Sequence, residues 1–183
     1  MKHLTSTIAA IKAIGRPVAL IDVDGVMQDN AHRLHLICEV VDGVQRKLKK
    51  PDWDAFHALA DEDTAGAFAA AALDLSRIYT PVYLTARVAL NDEVRAKLAA
   101  RMMFYTGVRE QALVIMREPR EDWQKSYKAA ALYKEDVVRV LKAEGIRVAL
   151  AVDDSHKNCE MFARHAIPSL RLYNHIDSTM MSY

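Results

Sequence analysis

Short apolar runs alternate along this chain with longer stretches of helical period, and several of the runs end in polar residues. Residues 17–25, Pro-Val-Ala-Leu-Ile-Asp-Val-Asp-Gly, form an apolar run closed by acids and a glycine, the pattern of a strand buried on both faces of a parallel sheet. The pattern recurs at 82–85 after Pro81, at 112–116 after a Thr106-Gly107 turn, and at 148–152 before Asp153 and Asp154. Residues 169–173, after Pro168, supply a fifth run. Between the runs, 91–105 opens on Asn91 and Asp92, and 134–145 closes on Gly145, which marks helix ends. Alternating strand and helix signals predict an α/β fold: a doubly wound, Rossmann-like parallel sheet of about five strands, with helices on both faces. In such a sheet chemistry sits at the carboxyl ends of the strands.

The interval 26–80 is too long for a single crossover helix. It predicts helices near 33–47 and 65–78, with a turn at 50–54 leading into a short amphipathic segment that ends near 61–63. The expected organisation is one domain over 1–183, carrying a small helical cap at 26–80.

Composition narrows the class. With 51% apolar and 27% charged residues the chain has the makings of an ordinary globular core. A balance of 25 basic against 24 acidic side chains leaves a net charge of +1, so no overall field draws the protein onto nucleic acid or an anionic membrane. Strong non-specific nucleic-acid binding is not expected. Cys38 and Cys159, the two cysteines, are too few for a disulfide framework and are expected as buried thiols in a reducing compartment. Polar residues interrupt the N-terminal stretch 1–16, and no run reaches the roughly 18 to 20 apolar residues a membrane span requires. The expected location is cytoplasmic, and nothing in the sequence fixes the oligomeric state.

Candidate chemistry gathers at the strand ends. Alternation along the first strand places Asp22 and Asp24 on one side, and Asp153 and Asp154 close the fourth. A lone Asp after a strand is usually a cap. Two acidic pairs on neighbouring strands are different: unit charges about 4 Å apart repel by about 4 kcal/mol at an effective dielectric near 20, and a cation must offset that. Hard oxygen donors without a His or Cys cluster select Mg²⁺ over zinc. Thr85 and Arg87 end the second strand with a hydroxyl and a guanidinium, a pair suited to phosphate. Lys134 lies at the start of the expected helix before the fourth strand, 19 positions from Asp153, within reach of the acids; Lys125 and Lys128 are its possible substitutes. His32 and His35 border either the substrate or solvent, Trp53 and Phe56 anchor the cap or stack on a base, and Trp123 with Met102 and Met103 reads as packing.

In order along the chain, Asp22-Val23-Asp24-Gly25, Thr85, Lys134 and Asp153-Asp154 resemble the four motifs of the haloacid dehalogenase superfamily of phosphotransferases. Finer likenesses, in Ala31-His32-Arg33-Leu34-His35, in Pro51-Asp52-Trp53-Asp54-Ala55-Phe56 and in Leu84-Thr85-Ala86-Arg87, are to stand-alone relatives of the 3′-phosphatase domain of bacteriophage polynucleotide kinase. The resemblance implies an Mg²⁺-dependent phosphomonoester hydrolase in which Asp22 becomes an aspartyl phosphate and Asp24 moves the proton. It implies metal binding by Asp22, Asp153 and the carbonyl of Asp24, with Asp154 assisting, and phosphate contacts from Thr85, Lys134 and Arg87. The substrate would be a phosphorylated small molecule, a nucleotide or a nucleic-acid 3′ end; a sugar-phosphate or metabolite phosphatase is the alternative. Departures are Val26 where relatives carry Thr, Ala86 where Gly is commoner, and the absence of a Gly-x-x-x-x-Gly-Lys-Ser/Thr loop, so no kinase half is present. A non-catalytic receiver-like module has no use for Asp24 as an acid or for an insertion of this length.

Overall fold

The computed structural model describes residues 2–42, 44–118 and 130–172. Trp123, Lys125, Lys128, Tyr173 and the closing segment lie outside the described residues. The chain opens with α1 (Lys2–Ile14), which the apolar pattern does not announce, and β1 (Val18–Asp22). The insertion follows: β2 (Gln28–Asp29), a 3-10 helix (Ala31–Leu36), β3 (Cys38–Val41), β4 (Val44–Lys47), α2 (Trp53–Ala58), a second 3-10 helix (Leu59–Glu62), β5 (Thr64–Ala65) and α3 (Ala69–Leu75). Then come β6 (Thr80–Val88), α4 (Asp92–Thr106), β7 (Leu113–Arg117), α5 (Ala130–Ala143), β8 (Val148–Asp153), α6 (His156–Arg164) and β9 (Ser169–Arg171).

Five strands form one sheet in the order β7-β6-β1-β8-β9, and every pairing is parallel. The expected doubly wound α/β sheet is what the chain forms. All five residues of β1 are buried, and their alternation divides the core in two. Val18 and Leu20 pack with Ile8 and Ile11 of α1, Val138 and Leu141 of α5, and Phe162 of α6. Ala19 and Ile21 face Ala72 of α3 and Leu98 and Met102 of α4. Each fully buried Val, Leu or Ile contributes about 1.5–3 kcal/mol, so a strand with two apolar faces is held most firmly at the sheet centre. Chain order reverses beside β1, which opens a crevice at the carboxyl ends of β1, β6 and β8.

The α4 helix matches its sequence signal, with the Asn91 side chain accepting from the Val94 amide at 3.0 Å as N-cap. Asp52 likewise caps α2, accepting from Ala55 N at 2.9 Å. The insertion departs from expectation. No helix spans 33–47: a 3-10 turn gives way to the antiparallel β3–β4 hairpin. The run Cys-Glu-Val-Val is β-branched and too short for a helical face, so cross-strand pairing wins. The helix expected over 65–78 is shorter, because Thr64 and Ala65 pair with Asp29 and Gln28 and bring the insertion back to its start. The thiols also differ from expectation, both Cys38 and Cys159 being half-buried, with neither in a disulfide. Among the described residues no helix is long and apolar enough to cross a membrane.

Gly66 follows β5 where the insertion rejoins the core. Its amide donates to the Met27 carbonyl at 2.8 Å, and a Cβ here would sit 2.3 Å from the Val26 carbonyl oxygen. Because that neighbour is backbone, Gly66→Ala is expected to destabilise the fold by about 1–3 kcal/mol, as overpacking does. Chemical denaturation measures it; an unchanged midpoint would show that the turn has room to relax.

Candidate functional site

β1 stops at Asp22, and a tight turn carries Asp24 away from the strand axis. Gly25 enables it with φ +78°, its amide donating to Gln28 O at 2.8 Å. Strand alternation therefore does not extend to Asp24, whose charge still bears on Asp22 and Asp154. Asp22 and Asp24 enter different networks.

Asp22 belongs to the floor. Its Oδ1 lies 2.8 Å from Lys134 Nζ, and the same ammonium donates to Asp153 Oδ2 at 2.7 Å. Asp153 is held in turn by the Ser155 amide at 2.9 Å and by Asn158 Nδ2 at 2.8 Å. Asp22, Asp153 and Asp154 each offer an oxygen within 4.8 Å of the other two. Burial, and then the neighbouring acids Asp153, Asp154 and Asp24, push the Asp22 carboxyl well above its usual range against the pull of Lys134. Burial and Asp153 raise Asp154 to about 7. Burial opposes the charge on Lys134, but Asp153 and Asp22 outweigh it and raise the ammonium's pKa. One buried ammonium thus serves three crowded carboxyls, and the donor set of hard oxygens fits a second cation of the Mg²⁺ type.

Lys134 reaches the floor from a position other than expected. It is not the first residue of its helix, since α5 already includes Ala130.

Asp24 belongs to the roof. Thr85 Oγ1 donates to its Oδ2 at 3.2 Å, Arg87 Nε donates to both its oxygens at 3.0 Å, and Arg87 Nη2 makes a further short contact to Oδ1. Arg33 Nη2 reaches Oδ1 at 2.7 Å. Burial disfavours the Asp24 carboxylate, yet Arg87 and Arg33 overcome it and hold the group well below the ordinary carboxylate range. Thr85 and Arg87 are free to turn inward because β6 slips against β7. Leu84 pairs with Ile115 and the next pair is Val88 with Arg117, so β6 advances four residues while β7 advances two. The second strand therefore runs to Val88 and does not end at Thr85.

Two residues of this roof are not among the candidate site residues of the sequence. Arg33, fully buried, donates from Nε to Asp63 Oδ1 at 2.6 Å and from Nη2 to Asp63 Oδ2 at 2.5 Å. Its guanidinium lies 3.9 Å from the Phe56 ring centroid and bonds the Phe56 carbonyl at 3.0 Å. Asp63 also accepts from Arg87 at 3.1 Å. Arg33 lies in the Ala31–His35 stretch that carries a family likeness, which does not single it out, and Asp63 closes the acidic run Asp61-Glu62-Asp63, which reads as an exposed turn. Phe56 is a buried anchor under Arg33 and is not placed to stack on a base. His35 caps its own 3-10 turn through the His32 carbonyl at 2.9 Å, while His32 lies 3.8 Å from Asp63. The imidazole of His57 stacks on Trp53 at 6.0 Å, and burial lowers its pKa.

No protein-family model matches the sequence, and no curated protein matches it. Solved structures do resemble the fold. A chain of the Pnkp1/Rnl/Hen1 complex superposes with a TM-score of 0.53 at 18% identity, over 86% of this chain and 46% of that one. A chain of the Pnkp1/Rnl/Hen1 RNA repair complex gives 0.51 at 17%, over 86% and 43%. A hydrolase from Streptococcus pneumoniae TIGR4 lies further off, with a TM-score of 0.45 at 10% identity over 88% and 95%. The chain spans less than half the length of the two repair-complex chains. Identities this low establish a likeness of fold alone, shared with these chains of the Pnkp1/Rnl/Hen1 complex.

Proposed function

We propose that the chain is a magnesium-dependent phosphomonoester hydrolase working through an aspartyl phosphate on Asp22, with a nucleotide or nucleic-acid 3′-phosphate as substrate. The observation that carries this is the floor: three carboxyls from β1 and the end of β8 gathered within 4.8 Å of one another, two of them paired with one buried ammonium. Such crowding has no structural benefit without a cation. Asp22, Asp153, Asp154 and the carbonyl of Asp24 would hold Mg²⁺, which when bound neutralises the acids and polarises a phosphoryl oxygen.

The residues themselves divide the remaining work. A carboxylate oxygen of Asp22 forms a bond to phosphorus as the ester P–O bond breaks; Asp24, ionised at rest under its two arginines, takes a proton from water as phosphate draws Arg87 away and gives it to the departing oxygen. In the second half water attacks the acyl phosphate, its proton returns to Asp24, and Asp22 leaves as carboxylate. Lys134, already 2.8 Å from Asp22, stabilises charge on the phosphoryl oxygens, and Thr85 orients one of them. An incoming phosphate competes with Asp24 for the Arg87 donors, which loosens the grip on Asp24 at the step where it carries a proton. The 26–80 insertion serves as the cap, within one domain. The likeness to chains of an RNA repair complex favours a nucleic-acid end over a sugar phosphate, and two thiols outside any disulfide suit a cytoplasmic setting.

The test is phosphate release, with and without Mg²⁺, from a nucleoside 3′-phosphate, a nucleoside 5′-phosphate, a 3′-phosphorylated oligonucleotide and a sugar phosphate. Magnesium-dependent release, fastest from the 3′-phosphates, is expected; no release from any of them overturns the proposal. Binding is tested separately. At Mg²⁺ near 100 times its dissociation constant the native state should gain about 2.7 kcal/mol, a rise in Tm of about 5–10 °C for a chain of this size. Asp153→Asn should lose most of that rise in differential scanning calorimetry, and an equal rise in the variant would remove Asp153 from the metal site.

A further inference from the structure

One stripe of α4 is tied to the insertion at a distance from the reacting groups. Lys97, Arg101 and Tyr105 recur at four-residue spacing and so share a face of the helix. Arg101 Nη1 donates to the Ala60 carbonyl at 2.7 Å, Arg101 Nη2 to the Asp61 carbonyl at 2.9 Å, and Tyr105 Oη to the Asp63 carbonyl at 2.6 Å. Lys97 Nζ adds an ion pair with the Asp61 carboxylate at 3.2 Å. Two side chains of a core helix thus grip the 60–63 turn by its backbone, and a third pairs with its Asp61 carboxylate. The turn ends in Asp63, whose fully buried carboxylate faces the other way, onto Arg33 and Arg87. Those two guanidiniums are the groups that hold Asp24.

We infer that Arg101 and Tyr105 are positioning residues, fixing the turn so that Asp63 aligns the two arginines on Asp24. The α4 stripe straps the insertion down as a fixed roof and sets the geometry of proton transfer from a helix that touches neither metal ligands nor phosphate. This rests on the phosphatase reading for its kinetic consequence, while the strap itself is a property of the protein alone.

The consequence is specific to the leaving group. An aryl phosphate departs without a proton, whereas an alkyl or nucleoside phosphate needs one. Tyr105→Phe, which removes only the hydroxyl, and Arg101→Met are each expected to lower kcat on a nucleoside 3′-phosphate about tenfold while changing kcat on p-nitrophenyl phosphate less than about twofold. Arg101→Lys, which retains a donor, should restore part of the loss. In parallel, amide hydrogen exchange of residues 59–66 should accelerate at least about tenfold in Tyr105→Phe and Arg101→Met, because the strap limits local opening. Equal losses on both substrates, or no loss, overturn the positioning role. Unchanged exchange overturns the strap. If the unaltered protein releases phosphate from neither substrate, the phosphatase reading fails, and the exchange measurement still decides whether the strap exists.

Discussion

Asp22→Asn is expected to reduce phosphate release by a thousandfold or more, to about the rate set by binding and charge alone. The substitution is nearly isosteric. It leaves the Val23 amide an oxygen to bond, as Asp22 Oδ1 now accepts at 2.8 Å, and it removes one of the three crowded carboxyls. Burial and acidic neighbours already disfavour the charge on Asp22, so the fold should hold while the nucleophile is gone. Circular dichroism and thermal melting check the fold; single-turnover phosphate release checks the chemistry. A folded variant that retains more than about a tenth of the rate would show that phosphorus is attacked by another group.

Arg33→Met is expected to cost about 3–5 kcal/mol of stability, the usual penalty for leaving a buried charge without its partner. Asp63 is fully buried and Arg33 supplies two of its contacts, at 2.6 and 2.5 Å; Arg87, at 3.1 Å, cannot replace both. The loss corresponds to a fall in Tm of about 10 °C for a chain of this size. Pairing Arg33→Met with Asp63→Leu should recover part of it, since removing both ends of a buried pair leaves no stranded charge. Denaturant unfolding of the two single variants and the double variant gives the coupling. A loss below about 1 kcal/mol in Arg33→Met would mean that the insertion opens to water around Asp63.

The two halves of the site differ in kind. The floor is built on the strands of the central sheet, whose positions are fixed by two-sided apolar packing. The roof is built on the insertion, where short elements carry little core of their own and polar contacts must hold the geometry. This is why the roof spends three arginines, Arg33, Arg87 and Arg101, on carboxylates and carbonyls.

What the sequence alone determined follows from periodicity and chemistry. Runs such as Val-Ala-Leu-Ile are apolar on both faces, and only a central parallel strand buries both, so the sheet and the crevice at its carboxyl ends are legible without coordinates. The acids at strand ends and the lysine one helix away are legible for the same reason. Tertiary structure decided where these groups turn. Asp22 and Asp24 part company because a turn begins between them, Lys134 works from within a helix, and the hairpin at 38–47 replaces a helix because pairing outweighs local propensity in so short a run. Arg33, Asp63 and the Arg101–Tyr105 stripe lie far apart along the chain, and no local pattern gives them their roles. Arg33 meets Asp63 across 30 positions and Tyr105 meets it across 42, and a network of that reach exists only once the insertion has been folded back onto α4.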